Sequence, residues 1–92
     1  MVTELEEAIY SVLTSLEPGD VVTYGQVAEE AGYPGRARAV GRFLSTTTED
    51  VPWWRVVNSV GRLVPGNERK QARLLRAEGV DVRGGRVVPN QR

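Results

Sequence analysis

Residues 23–44 read TYGQVAEEAGYPGRARAVGRFL, and the punctuation of this stretch decides the fold. Thr23 and Gln26 form a capping box, in which the hydroxyl accepts the N–H of the third helical residue and the Gln side chain reaches back to the cap N–H. The box opens a short helix through about Ala31, which Gly32 stops because glycine enters a left-handed C-terminal cap without a Cβ penalty. Pro34-Gly35 turns the chain. A further helix runs from about Arg36 to Leu44: Ala37, Val40, Gly41 and Leu44 recur at helical spacing, while Arg38, Arg42 and Ser45 occupy the other face. Two short helices joined by a Gly-containing turn, the second with an Arg-bearing outer face, follow the pattern of a helix-turn-helix.

Upstream, Leu5, Ala8, Ile9, Val12, Leu13 and Leu16 form the stripe of an amphipathic helix with Thr3 and Glu6 as its capping box. Pro18-Gly19 ends it, and Val21-Val22 is a short extended piece. Downstream, the polar loop Thr46 to Asp50 leads to the apolar cluster Val51-Pro52-Trp53-Trp54 and on to Val56-Val57. The turn residues Asn58-Ser59-Val60-Gly61, followed by extended Leu63-Val64, predict a small hairpin or wing. Pro65-Gly66-Asn67 breaks it, with Asn67 as the cap of a helix from Glu68 to Ala77 that Gly79 terminates. Val80 and Val82 alternate, Gly84-Gly85 supplies a positive-φ turn and Val87-Val88 returns, which predicts a second hairpin before an end that frays from Pro89. The expected fold is mainly α with short β hairpins, a winged helix-turn-helix forming one domain over residues 1–92.

Composition removes several kinds of chemistry. The 92 residues contain no cysteine and no histidine. Disulfides, thiolate or imidazole metal sites, and Cys-His or Ser-His-Asp mechanisms are therefore excluded, and no cofactor is expected. No apolar run approaches the roughly 20 residues that span a bilayer, and the N-terminus lacks a secretion signal, so the expected setting is cytoplasmic, away from membranes. The zero net charge hides a division: seven acids and no base precede Arg36, whereas twelve bases, eleven of them Arg, and five acids follow from Arg36 onward. The balance of −7 against +7 fits a phosphate-binding face opposite an acidic back. Charge alone equally fits an intramolecular salt-bridge surface.

Individual residues carry two readings each. Arg36, Arg38 and Arg42 suit a helix laid in a DNA groove, with Ala37, Ala39 and Gly41 keeping it slim, and they equally suit a solvated face. Trp53 and Trp54 beside Pro52 are core residues or an aromatic wall for a stacked base, and Tyr24 is packing or part of that wall. Glu78 at a helix C-terminus is electrostatically misplaced.

Four blocks, Thr23-Tyr24-Gly25-Gln26-Val27-Ala28, Ala37-Arg38-Ala39-Val40-Gly41-Arg42, Pro52-Trp53-Trp54-Arg55-Val56-Val57-Asn58-Ser59 and Leu74-Leu75-Arg76-Ala77-Glu78-Gly79, resemble in order the C-terminal domain of the O6-alkylguanine-DNA alkyltransferases over about residues 3–80. In the active family the third block reads Pro-Cys-His-Arg-Val, and its cysteine takes the alkyl group. Trp53 stands at that cysteine, which resembles the alkyltransferase-like proteins that bind alkylated guanine without repairing it. The resemblance implies that Arg38 fills the hole left by a flipped nucleotide and that Tyr24 helps turn the phosphate beside it. It further implies a lesion pocket of Tyr24, Trp53, Arg55 and Val56, with the carbonyls of Trp53 and Val56 reading the guanine edge.

Three departures accompany the likeness. Trp54 replaces the family histidine, leaving Glu78 without its relay partner. Pro65 has no N–H where a loop amide would meet the alkylated oxygen. Thr46-Thr47-Thr48-Glu49 stands in place of an Asn-Pro. The implied function is non-enzymatic recognition of O6-alkylguanine in double-stranded DNA by a monomer, through minor-groove binding and base flipping, flagging lesions to nucleotide excision repair proteins. Its rivals are a small winged-helix transcription regulator that prefers an undamaged operator, and an interaction adaptor working through its acidic first helix.

Overall fold

The computed structural model describes residues 3–89. Of the end expected to fray, residues 90–92 lie outside the described part. Helix α1, Glu4–Thr14, begins at the expected box: Glu6 donates its N–H to Thr3 Oγ1 at 3.0 Å and Thr3 returns its own to Glu6 Oε1 at 3.1 Å. Its stripe buries Ile9 and Leu13 fully, with Leu5, Val12 and Leu16 packed alongside. Helices α2, Tyr24–Glu30, and α3, Ala37–Thr46, form the expected helix-turn-helix. The Thr23–Gln26 box closes at 3.0 and 2.8 Å. At the other end of α2, Tyr33 N–H reaches Ala28 O and Gly32 N–H reaches Glu29 O, the paired bonds of a Schellman cap, with Gly32 at φ 90°. Helix α3 turns Val40 and Phe43 into the core beneath α1 and α2 and leaves Arg38, Arg42 and Ser45 exposed.

Strand β1, Val22–Thr23, finds its partner 34 residues on: it pairs in parallel with β2, Val56–Val57, in the register Val22↔Val56 and Thr23↔Val57. Parallel neighbours need a long crossover, and here the helix-turn-helix is that crossover. One end of the pair therefore launches both α2 at Tyr24 and the turn at Asn58. The other end receives the loop at Asp20 and the short 3-10 turn Trp53–Arg55.

The expected hairpin or wing after Val57 forms as part of a wing rather than as a hairpin of its own. Its turn exists, with Asn58 Oδ1 accepting the N–H groups of Val60 and Arg62 at 3.0 and 2.8 Å. Beyond one bond from Asn58 N–H to Arg62 O, however, the returning segment pairs with the C-terminal hairpin: Val87 N–H donates to Gly61 O and Leu63 N–H to Gly85 O, both at 2.9 Å. That hairpin, β3 Val82–Arg83 and β4 Arg86–Val87, turns on Gly84 and Gly85 at φ 58° and 74° as expected. The wing is thus the β3–β4 hairpin with the 61–63 segment bridged along its edge, which covers apolar surface that a lone two-stranded hairpin would leave wet. Gly61 is required where they meet, since it sits at φ 82° and a Cβ there would lie 3.3 Å from Val87 O.

Helix α4, Glu68–Ala77, packs Ala72 and Leu75 with Val57, Leu63 and Val82 into a second core. The expectation that Asn67 caps it with its side chain is also corrected: Asn67 holds the cap position but makes no side-chain cap bond, and Glu68 instead accepts Gly66 N–H at 3.0 Å. No helix among the described residues is long and apolar enough to cross a membrane.

Candidate nucleic-acid interface

The arginines of α3 stand free of acidic partners. Among the described residues there are two ion pairs, Arg55–Glu78 and Arg83–Asp81, so Arg36, Arg38 and Arg42 enter none. The salt-bridged surface that composition permitted is therefore not formed at this helix. Arg38 and Arg42 are exposed one turn apart, and with Arg36 they border a cleft against α1 that also holds Glu6. The acidic helix is thus not wholly on the opposite face. Slimness at the helix surface has a structural use: a Cβ on Gly41 would lie 4.0 Å from the Tyr24 ring, so Tyr24 packs against α3 across its glycine. Half burial there raises the pKa of the Tyr24 phenol, because desolvation disfavours the phenolate.

The 3-10 turn places two indoles edge to face, with ring centroids 6.2 Å apart at 90°. They divide the space around them. Both are half-buried, but Trp54 packs against the second core, whereas Trp53 belongs to neither core.

Glu78 does not stand without a partner, and the expectation that it had lost one is corrected. Its Oε2 accepts Trp54 Nε1–H at 2.8 Å and Arg55 Nη2–H at 2.8 Å; its Oε1 accepts Arg55 Nε–H at 3.0 Å and Gly19 N–H at 2.9 Å. The indole supplies a donor to the carboxylate in place of the imidazole. Arg55 is 8% exposed, donates Nη1–H to Leu16 O at 3.0 Å, and sits with Cζ 5.2 Å from the Trp54 ring centroid. Its two-pronged bond to Glu78 holds that carboxylate at about 2, further aided by the Gly19 and Trp54 donors and opposed by burial, and Glu78 in return raises the Arg55 pKa. The misplacement of Glu78 at the end of α4 is resolved, since the guanidinium offsets the negative end of the helix dipole.

Gln71 is the residue that sequence reading missed. It reads as one polar position on a polar helix, yet it is 0% exposed. Its Nε2 donates to Trp54 O and Val56 O, each at 3.1 Å, and its Oε1 accepts Val64 N–H at 2.7 Å. One amide thus ties the Trp53–Arg55 turn to the loop around Pro65. Val56 itself is fully buried with its carbonyl bonded to Gln71, and the Trp53 carbonyl accepts Val56 N–H, so both carbonyls proposed to face a guanine already hold one internal donor. The only sign of Gln71 in the sequence was its place on the apolar side of α4, one turn before Leu75.

A helix-turn-helix, a half-buried tryptophan on a 3-10 turn and a wing built on the β3–β4 hairpin define a DNA-binding domain. The chain belongs to the family described as 6-O-methylguanine DNA methyltransferase, DNA binding domain, whose family model matches residues 4–80. It is 42% identical over 78 residues to the DNA base-flipping protein of Vibrio parahaemolyticus, covering 80% of this chain and 78% of that one. It is 33% identical over 85 residues to alkyltransferase-like protein 1 of Schizosaccharomyces pombe, covering 86% and 79%. The fold is similar to S. pombe Atl1 in complex with damaged DNA containing O6-carboxymethylguanine, with TM-score 0.83, 31% identity, and coverage of 98% and 93%. It is also similar to the Mycobacterium tuberculosis O6-methylguanine methyltransferase, with TM-score 0.73, 28% identity, and coverage of 85% and 50%.

Proposed function

We propose that the chain reads O6-alkylguanine in double-stranded DNA without transferring the alkyl group, and that its complex flags the lesion for nucleotide excision repair. The single observation that carries the reading is Trp53: a half-buried indole outside both cores, in a chain with no cysteine at all, at the position that the resemblance matches to the alkyl-acceptor cysteine. A face of this kind suits an unstacked base, to which an aromatic contact is worth roughly 1–3 kcal/mol. Arg38, exposed and unpaired on α3, takes the vacated place in the stack, and Arg36 and Arg42 hold phosphates. Tyr24, braced on Gly41, and Arg55, locked behind Trp54, shape the pocket walls. The damaged-DNA complex of the similar Atl1 fold supports this reading.

Fluorescence titration of a duplex holding one O6-methylguanine, beside its guanine control, tests it. Preference for the lesion duplex with no methyl group appearing on the protein by mass spectrometry is the expected result. Equal affinity for the two duplexes, or tighter binding to an undamaged operator sequence, would transfer the molecule to the transcription-regulator class.

A further inference from the structure

The wing carries three arginines in register. Arg62 pairs across the ladder with Arg86, and Arg86 pairs with Arg83. Residues directly opposed in an antiparallel pair share a face with Cβ atoms about 4.5–5.5 Å apart, so the three side chains leave one face of the wing in a row about 10 Å long. Their neighbours Leu63, Val82 and Val87 take the other face and pack into the second core. All three arginines are exposed.

Like charges directly opposed destabilise a ladder, and little in the protein offsets this row. Asp81 lies 3.2 Å from Arg83, both largely in solvent, and neither Arg62 nor Arg86 enters an ion pair among the described residues. The backbone bonds of Leu63 to Gly85, Val87 to Gly61 and Val88 to Asp81 hold the strands together, so the row is fixed in advance of any ligand. The family match ends at residue 80, which puts Arg83 and Arg86 outside the segment that defines the family. The wing also leaves the same end of the β1–β2 pair as α2, the end away from the Trp53–Arg55 turn.

We infer that the Arg62–Arg86–Arg83 row is a second DNA-contact surface that takes the sugar-phosphate backbone of the duplex whose altered base is read at Trp53. It rests on the DNA-reading function proposed above. Each DNA strand carries one charge per about 3.4 Å of axis, so a row of this length meets two or three phosphates. Guanidinium forks suit phosphate oxygens. Contacts of this kind fix position and add affinity without reading bases; the wing governs how tightly the chain binds, and the pocket governs what it prefers.

The test compares the wild type with the Arg62→Gln/Arg83→Gln/Arg86→Gln variant on lesion and guanine duplexes over a range of salt. At about 0.15 M salt, both affinities should fall roughly 30- to 100-fold with their ratio unchanged, and the slope of log K against log salt should become shallower by about two to three. A triple Lys variant should keep most of the slope. A folded triple Gln variant with wild-type affinity and slope, or one weakened on the lesion duplex alone, overturns the inference while leaving the proposed function standing. If the wild type shows no lesion preference, that function fails instead, and the wing is still judged on the guanine duplex. Absence of binding to either duplex overturns both. Thermal melting checks the fold; should the triple variant unfold, Arg86→Gln carries the test, with roughly fivefold weaker binding and a slope shallower by about one.

Discussion

At Glu78, four N–H groups from three residues, Gly19, Trp54 and Arg55, converge on one carboxylate, and acid should find this point first. The carboxyl is held at about 2 against the ordinary 4.5. The stabilisation is complete above pH 4.5 and is lost as pH falls through 2, a difference of about 3 kcal/mol by linkage. Chemical denaturation at a series of pH values should show Glu78→Gln less stable than the wild type at pH 7, because Arg55 is left buried without its charge partner. The gap should narrow by about that amount between roughly pH 5 and pH 2, and a constant gap would assign the network no ionic role. The two arginines of α3 should separate in binding. Arg38→Ala should weaken the lesion duplex by roughly 1–3 kcal/mol and reduce its preference, while Arg42→Ala should weaken lesion and control duplexes alike. Identical profiles for the two variants would remove Arg38 from the base stack. Trp53→Cys should fold, because Trp53 lies outside both cores. Mass spectrometry after incubation with O6-methylguanine DNA should nevertheless show little methylation, since a thiol with pKa near 8.5 beside an indole has no base to ionise it. Rapid stoichiometric methylation would show that the pocket itself activates a thiolate.

At the scale of elements, α4 does more than cover the second core. Through Gln71 it fixes the distance between the 3-10 turn that bears Trp53 and the loop that bears Pro65. Gln71→Ala leaves one N–H and shares of two carbonyls buried without partners, at about 1–3 kcal/mol for each group left unsatisfied. Urea denaturation should therefore show a loss of about 3 kcal/mol or more. The folded fraction should bind undamaged DNA nearly normally but lose preference for the lesion, because helix α3 with its exposed arginines is untouched while the turn that carries Trp53 comes loose. Unaltered lesion preference in the folded variant would reduce Gln71 to a packing residue.

For the molecule as a whole, charge is the property to measure. Sequence residues from Arg36 onward carry a balance of +7, and contact with four to six phosphates gives log K a slope against log salt of about −4 to −5. A salt titration that stays flat would speak against DNA as the ligand. The acidic first helix shares a cleft with Arg38 and Arg42 through Glu6, so it trims the field near the recognition helix as well as carrying charge away from it.

The sequence by itself determined the local structure of this protein and the identity of its family. Capping boxes at Thr3–Glu6 and Thr23–Gln26, glycine stops at Gly32 and Gly79, and the Gly84-Gly85 turn each act within a few residues, where steric and hydrogen-bond rules need no knowledge of the rest of the chain. The Arg38 and Trp53 blocks were legible for the same reason, as contiguous motifs. Only the tertiary structure decided who meets whom. The parallel pairing of Val22 with Val56, the bridge of Arg62 to Arg86 in the wing, the four donors on Glu78 and the burial of Gln71 all join residues far apart in the chain. The choice of such partners is made by competition for buried polar groups and apolar area across the whole core, which no local pattern encodes. Trp54 shows the difference most plainly: read alone it is a histidine lost, and read in the fold it is a hydrogen-bond donor kept, because what Glu78 needs there is an N–H at 2.8 Å and an indole provides one.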